Sequence, residues 1–229
     1  KLENIRKDFI ANLSHELRTP VAVIRANSES LVDGALDDKE IAQKFSNAIL
    51  KNSEKLSYLL EDILNLSTIE SGEYNLELSE NGVLDTFKNS INSVLSNNPD
   101  VKIINNISSD VEVICDVKAL SQVIDNLIEN SVKYGISKEC NEIIINMKDQ
   151  GSKVRFEIED RGQGIPADQR ERVFERFFRI QNNNTSLKEG TGLGLSIVKN
   201  LVNLMGGSVG NEKAYPEGTI FWFTLNKKN

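Results

Sequence analysis

"DNLIENSVKYG", residues 125–135, decides how this chain folds. At about 100° per residue, Leu120, Val123, Ile124, Leu127 and Ser131 line one side of a helix. Asn126, Asn130 and Lys133, at i, i+4 and i+7, line another. The first stripe faces a core. The second carries two amides and an ammonium, which together offer an oxygen for a hard cation and charge for phosphate. On its own such a polar face is as readily explained by hydration.

On either side of this helix, Val, Ile, Phe and Trp enrichment predicts strands at Val101–Ile107, Val111–Cys115, Ile143–Met147, Val154–Glu159 and Thr219–Leu225. "DQGS", 149–152, joins the third and fourth as a hairpin. Helices are predicted at 83–96, 117–134, 168–178 and 194–205. Helices laid over one face of a mostly antiparallel sheet make an α/β sandwich. Three further phrases carry chemistry. "EDRGQGIP", 159–166, puts the carboxylate of Asp160 before Gly162 and Gly164, which let the backbone turn sharply near a ligand; an ordinary turn before an Asp168–Glu171 capping box explains it equally. "VFERFFRIQNNNTSLKEG", 173–190, runs from an aromatic helix end into a polar loop without apolar period. "GTGLGLSIVKNLVNLMGG", 190–207, opens a helix on Gly190, Gly192 and Gly194, where free backbone N–H groups and the helix dipole favour anions. It lacks the Walker lysine–serine pair and follows no strand, so it is no dinucleotide fingerprint.

Upstream the pattern changes. Leu2, Ile5, Phe9, Leu13 and Leu17 recur at helical spacing up to about Leu31, with an interruption and local kink expected at Pro20. His15, the only histidine, stands about 200° from Leu13 and points to solvent. Glu16 follows it, and Thr19 shares its face. After the turn "DGALDDK", 33–39, Phe45, Ile49, Asn52, Leu56, Leu59, Ile63 and Leu66 form a heptad seam with one polar position. An antiparallel hairpin of two such helices leaves an apolar face that a second copy would cover, giving a dimeric four-helix bundle. "SGEYN", 71–75, is a linker, so the expected organisation is residues 1–71 and 76–229.

Asp+Glu 34 against Lys+Arg 27, net charge −7, argues against a nucleic-acid binder. Cys115 and Cys140 lack metal-ligand spacing and read as buried free thiols of a reducing compartment. No apolar run is long enough to span a membrane, so the segment reads as soluble. It opens in mid-helix without an initiator Met, as a piece of a longer chain, and any membrane segment would lie upstream.

Taken in order, these phrases resemble the cytoplasmic core of a bacterial sensor histidine kinase. "SHELRTP" is similar to the family's phosphoacceptor box, and "DNLIENSVKYG", "EDRGQGIP", "VFERFF" and "GTGLGLSIVKNL" are similar to its four ATP-site boxes. The resemblance implies a dimerisation and phosphoacceptor domain at 1–71 and a Bergerat-type ATP-binding domain at 76–229. It implies that His15 attacks the γ-phosphoryl group of ATP, that Glu16 accepts or orients the imidazole proton, and that Thr19 positions water for dephosphorylating a partner. Asn130 matches the Mg²⁺ ligand and Asn126 a position beside the phosphates. Lys133 and Tyr134 match nucleotide-contacting positions. Asp160 matches the reader of the adenine amino group, with Gly162 and Gly164 beneath it and Thr219 in support. Gly190, Thr191, Gly192, Leu193, Gly194 and Leu195 match the phosphate-side hinge, and Arg179 is a candidate γ-phosphate contact. The implied partners are a second copy and a response-regulator receiver domain, docking around His15, Ala22 and Ala26. The implied setting is the cytoplasmic part of a membrane-anchored sensor.

Two alternatives stand beside this. Bergerat-type ATPases resemble the same fold but place a water-activating Glu where this chain has Asn126, and an amide is no base at neutral pH. Glu129 is next to Asn130 but projects about 100° away from it on the helix and does not replace that base. The other alternative is a non-catalytic dimeric scaffold, which Asn130, Asp160 and the glycine box oppose.

Overall fold

A computed structural model describes residues 2–136, 140–180 and 191–228. The chain divides into two compact units, residues 1–68 and 69–229.

The first unit is a helical hairpin. α1 (Leu2–Val32) and α2 (Lys39–Ser71) are joined by a 3-10 turn, Ala35–Asp37. α1 runs through Pro20 without ending, contrary to the interruption expected there. One missing N–H in a helix of 31 residues removes a single bond, and the proline ring is itself buried. Gly34 takes φ 118° at the turn. Asp38 Oδ1 then accepts from the N–H groups of Glu40 (3.0 Å) and Ile41 (3.1 Å), capping α2. Along α2 the heptad positions are inward: Leu59 and Leu66 are buried, and Phe45, Ile49, Leu56 and Ile63 half-buried. Asn52 satisfies its amide on its own helix, donating to the Ala48 carbonyl at 2.8 Å. Ile10, Val21, Leu50, Tyr58, Leu60 and Leu64 stay exposed. No described helix is long and apolar enough to cross a membrane.

The second unit runs β1 (Ser79–Gly82), α3 (Leu84–Asn97), β2 (Lys102–Asn105), β3 (Glu112–Cys115), α4 (Val117–Gly135), β4 (Glu142–Asp149), β5 (Lys153–Asp160), α5 (Gly194–Leu204), β6 (Ser208–Lys213) and β7 (Thr219–Asn226). Its main sheet has the order β2-β4-β5-β7-β6, with β2 parallel to β4 and the other pairs antiparallel; β1 and β3 form a small ribbon. The register sets Val154 opposite Leu225, Phe156 opposite Phe223, Ile158 opposite Phe221 and Asp160 opposite Thr219. Side chains alternate across a strand, so an apolar row on the helix side ends in one carboxylate. Phe87 of α3 lies 5.2 Å from Phe156, which lies 5.1 Å from Phe223. The α4 stripe Leu120, Val123, Ile124, Leu127 and Ser131 is wholly buried over this row.

The other sheet face is polar and paired. Glu157 accepts from Arg155 (2.8 Å) and Lys148 (2.9 Å), and Arg155 also reaches Glu212 at 2.8 Å. The Arg155 guanidinium sits 4.5 Å from the centre of the Trp222 ring. That ring fills the space a Cβ on Gly210 would need, 2.4 Å from its Cζ2. The chain's end ties the two sheets together: Lys227 pairs with Val113, and the Lys228 ammonium bridges Glu80 and Glu112 at 2.8 Å each.

Three expectations need correction. Residues 168–178 form no α-helix but two 3-10 turns, Ala167–Gln169 and Arg172–Phe174. Their side chains are fixed one by one by tertiary contacts: Val173 and Phe174 are buried, Phe174 meets Phe221 edge-on at 6.4 Å, and Arg172 lies over Phe178 at 4.4 Å. The Asp168–Glu171 capping box accordingly has no helix to cap, and neither turn has a side-chain cap. Neither cysteine forms a disulfide, but only Cys115 is buried; Cys140 is half-buried. Burial pushes the Cys115 thiol up to about 11, so it stays protonated and inert.

Candidate active site

The centre of the second unit's site is Asp160, placed at the inner end of β5 by strand alternation. Its Oδ1 accepts from the Gly162 N–H (2.9 Å) and the Thr219 N–H (3.2 Å). Oδ2 accepts from no group among the described residues. Burial raises the carboxyl above the ordinary carboxylate range, against the pull of those two N–H groups. A buried carboxylate whose charge is incompletely compensated gains from one more donor, such as an aromatic amine.

Room for that donor comes from absent side chains. A Cβ on Gly162 would sit 2.6 Å from the Tyr134 carbonyl and 2.7 Å from the Gly135 Cα. One on Gly135 would sit 2.2 Å from the Asp160 Cβ. Gly164 takes φ 73° and lies against the Gly218 carbonyl. Sequence reasoning missed Gly135: a glycine at a helix end reads as a stop signal, whereas here it is still helical and lets α4 touch Asp160.

The polar stripe of α4 faces two neighbours. Asn126 donates to the Gln122 carbonyl at 2.9 Å, and its Oδ1 lies 2.5 Å from where a Cβ of Gly194 would be, so it seats the start of α5. Asn130 is half-buried, and its amide has no hydrogen-bond partner among the described residues. The Lys133 ammonium lies 5.5 Å from the Tyr134 ring centre. Burial raises the Tyr134 phenol, and the Arg179 charge acts against that rise, which puts Arg179 within electrostatic reach of Tyr134.

Gly192 and Phe177 close the anion side. Both take left-handed backbone, φ 71° and 58°, and the Phe177 N–H donates to the Gly192 carbonyl at 2.9 Å. A Cβ on Gly192 would lie 2.8 Å from the Phe177 Cα. The Thr191 hydroxyl accepts from the buried Leu193 N–H at 3.2 Å. No side chain caps α5, so the N–H groups of Gly194, Leu195 and Ser196 in its first turn are available to an anion. Gly190 and the Asn-rich stretch before it lie outside the described residues.

In the first unit His15 and Thr19 are exposed and Glu16 half-buried. The Thr19 hydroxyl donates to the His15 carbonyl at 3.3 Å. Ala22 and Ala26 are exposed further along α1.

Comparison with known proteins agrees with this anatomy. Residues 115–229 match the family described as histidine kinase-, DNA gyrase B- and HSP90-like ATPase, and residues 5–72 match the His Kinase A (phospho-acceptor) domain. The chain belongs to the bacterial sensor histidine kinases, and its second unit to the ATP-binding fold they share with those ATPases. Over its whole length it is 33% identical to the sensor histidine kinase WalK of Bacillus subtilis (strain 168), of which it spans 38%. Over 91% of its length it is 31% identical to the sensor-like histidine kinase SenX3 of Mycolicibacterium smegmatis, of which it spans 54%. It thus covers about half or less of these relatives. Among solved structures, Acinetobacter baumannii histidine kinase AdeS superposes with a TM-score of 0.75 at 23% identity, covering 94% of this chain and 98% of that one. Histidine kinase ThkA, solved in complex with response regulator protein TrrA, gives 0.71 at 24% identity, covering 98% and 63%.

Proposed function

We propose that this chain is the kinase core of a sensor protein, moving the γ-phosphoryl group of ATP to His15 and then to an aspartate of a response-regulator receiver domain. Residues 1–71 act as the dimerisation and phosphoacceptor domain and 76–229 as the catalytic domain. The observation that carries the reading is Asp160: one oxygen fixed by two backbone N–H groups, the other open, at the end of an apolar row. That oxygen accepts the adenine amino group, with Gly162 and Gly164 beneath the base and Thr219 holding the carboxylate. The first turn of α5 receives the phosphates, with Gly190, Thr191 and Gly192 leading into it. Lys133, Tyr134 and Arg179 add charge and a donor on the same side. Asn126 fixes where α5 begins. The residues also fit a magnesium ion: the half-buried, unengaged Asn130 amide supplies one hard oxygen, and the ion would neutralise phosphate charge.

In the transfer, an imidazole nitrogen of His15 forms a bond to the γ-phosphorus as the bond to the ADP oxygen breaks. Glu16 takes or orients the imidazole proton, and ADP leaves with the electron pair. Phosphoryl transfer is mainly positioning and charge stabilisation, so an exposed histidine suffices. Plain ATP hydrolysis is less well supported, because Asn126 is an amide engaged with its own helix and Glu129 is exposed. The exposed Leu50, Leu60 and Leu64 support a homodimer through the hairpin. Exposed Ala22 and Ala26 beside His15 support receiver docking there. We place the chain on the cytoplasmic side of a membrane-anchored sensor.

Incubation with Mg-ATP tests the reading. It should give an acid-labile, base-stable phosphoramidate that His15→Ala abolishes while ATP binding persists. Acid-stable label, or label that survives His15→Ala, would overturn it.

A further inference from the structure

The turn between β6 and β7 is seated on the backbone of the Asp160 loop. Gly218 lies so close that a Cβ would fall 2.0 Å from the Asp160 carbonyl oxygen and 3.0 Å from the Arg161 Cα. Its carbonyl accepts from the Ala214 N–H at 3.1 Å, closing the turn. The residue after it, Thr219, supplies the N–H that fixes Asp160 Oδ1. From the solvent side, the turn is lashed down by one side chain. Arg161 Nη1 donates to the Tyr215 carbonyl at 2.6 Å and lies 2.7 Å from the Glu159 carboxylate. Tyr215 gives only its carbonyl; the residue is otherwise 88% exposed.

We infer that Arg161, anchored on Glu159, is the positioning residue that holds the β6–β7 turn against Asp160 and so sets the site's preference for adenine. This rests on the ATP reading of the site. The chain of contacts is short: Arg161 holds Tyr215, the turn carries Thr219, and Thr219 orients Asp160 so that Oδ2 faces the base. Releasing the turn lets the carboxylate rotate, and an acceptor aimed at an amino group becomes an unaimed one. The effect is confined to the base, because among the described residues Arg161 makes no hydrogen bond to the α5 phosphate turn.

The test is calorimetric titration of the full chain with Mg-ADP and Mg-GDP, neither of which can phosphorylate His15. Arg161→Ala should weaken ADP about tenfold, the scale of one charge-assisted hydrogen bond, and change GDP less than twofold. The melting temperature should move by no more than a few degrees. Arg161→Lys keeps the charge and one donor for Tyr215, and should show an intermediate loss of ADP affinity; it reads the same effect should the alanine variant not fold. If the unmutated chain binds no ADP, the nucleotide reading itself fails. If it binds ADP and the Arg161 variants match it, only the positioning role is overturned. Parallel loss of ADP and GDP affinity together with a collapse in melting temperature also overturns it, reducing Arg161 to a structural tie.

Discussion

Replacing Gly135 with alanine probes the contact between α4 and Asp160. The added methyl would stand 2.2 Å from the Asp160 Cβ and 2.5 Å from its Cγ. Carbon atoms attract best at about 3.5–4.0 Å, so the overlap is on the order of 1 Å or more. The Asp160 Cβ is fixed to a central strand and cannot swing aside. Two effects oppose. Alanine is the better helix former by up to about 1 kcal/mol, and less at a terminal position. Forcing a methyl into a packed site costs about 1–3 kcal/mol, and this overlap belongs at the upper end. The net expectation is a loss of about 1–2 kcal/mol. Binding should suffer as well, because relief requires the end of α4 or the carboxylate to move by about 1 Å, which misaims the hydrogen bond Asp160 offers the base, a loss on the order of tenfold or more. Gly151→Ala is the paired control: φ 85° in the β4–β5 turn, with no atom within 4 Å of the new methyl. It should cost about 1–2 kcal/mol of left-handed strain and leave binding alone. Urea unfolding followed by circular dichroism gives the stabilities, and titration with Mg-ADP gives the affinities. Equal ADP affinity in the two variants would mean that the contact between α4 and Asp160 does not shape the nucleotide site.

Other outcomes follow from the same contacts. Burial raises the folded-state Asp160 carboxyl, so its contribution to stability is present at acid pH and lost as pH rises through the raised value; Asp160→Asn should therefore be at least as stable as the parent at pH 7 while losing ADP affinity about 10–100-fold, measured by unfolding at pH 5 and 8 and by titration. Asp116 caps α4 through the Ala119 N–H (3.0 Å) and also accepts the Glu77 N–H (2.9 Å), so Asp116→Ala should lower the urea midpoint by the equivalent of about 1–2 kcal/mol. Burial raises that carboxyl, but the backbone N–H groups outweigh it and hold it low, so this support is present at neutral pH and lost as pH falls through the lowered value. Thr19→Ala should leave labelling of His15 near normal and slow dephosphorylation of the receiver about tenfold; equal loss of both would mean that the bond to the His15 carbonyl is all the threonine does.

The helices and the inner strands were legible because burial follows a period there. Leu120, Val123, Ile124 and Leu127 repeat at helical spacing, and Val154, Phe156 and Ile158 alternate. β1 and β6 carried no such signal. "SENG" has no β-branched residue and "SVGNEK" only one, and both are strands because β3 and β7 supply their hydrogen bonds. The 168–178 segment misled for the opposite reason: its apolar residues suit a helix, but each is claimed by a separate tertiary contact. Asp160 and its glycines could be picked out only through the order of several phrases along the chain, since on its own that stretch reads equally well as an ordinary turn. Gly135 and Arg161 could not, since each acts on a partner that only strand register brings near.

Trp222 has a practical consequence. It is the only tryptophan, and the hairpin unit contains none. Its indole lies under Arg155 on the sheet face turned away from Asp160, so its emission is an optical reporter of the second unit alone. Melting of that sheet can then be followed by fluorescence without interference from the hairpin, and nucleotide binding on the far face should leave the signal nearly silent.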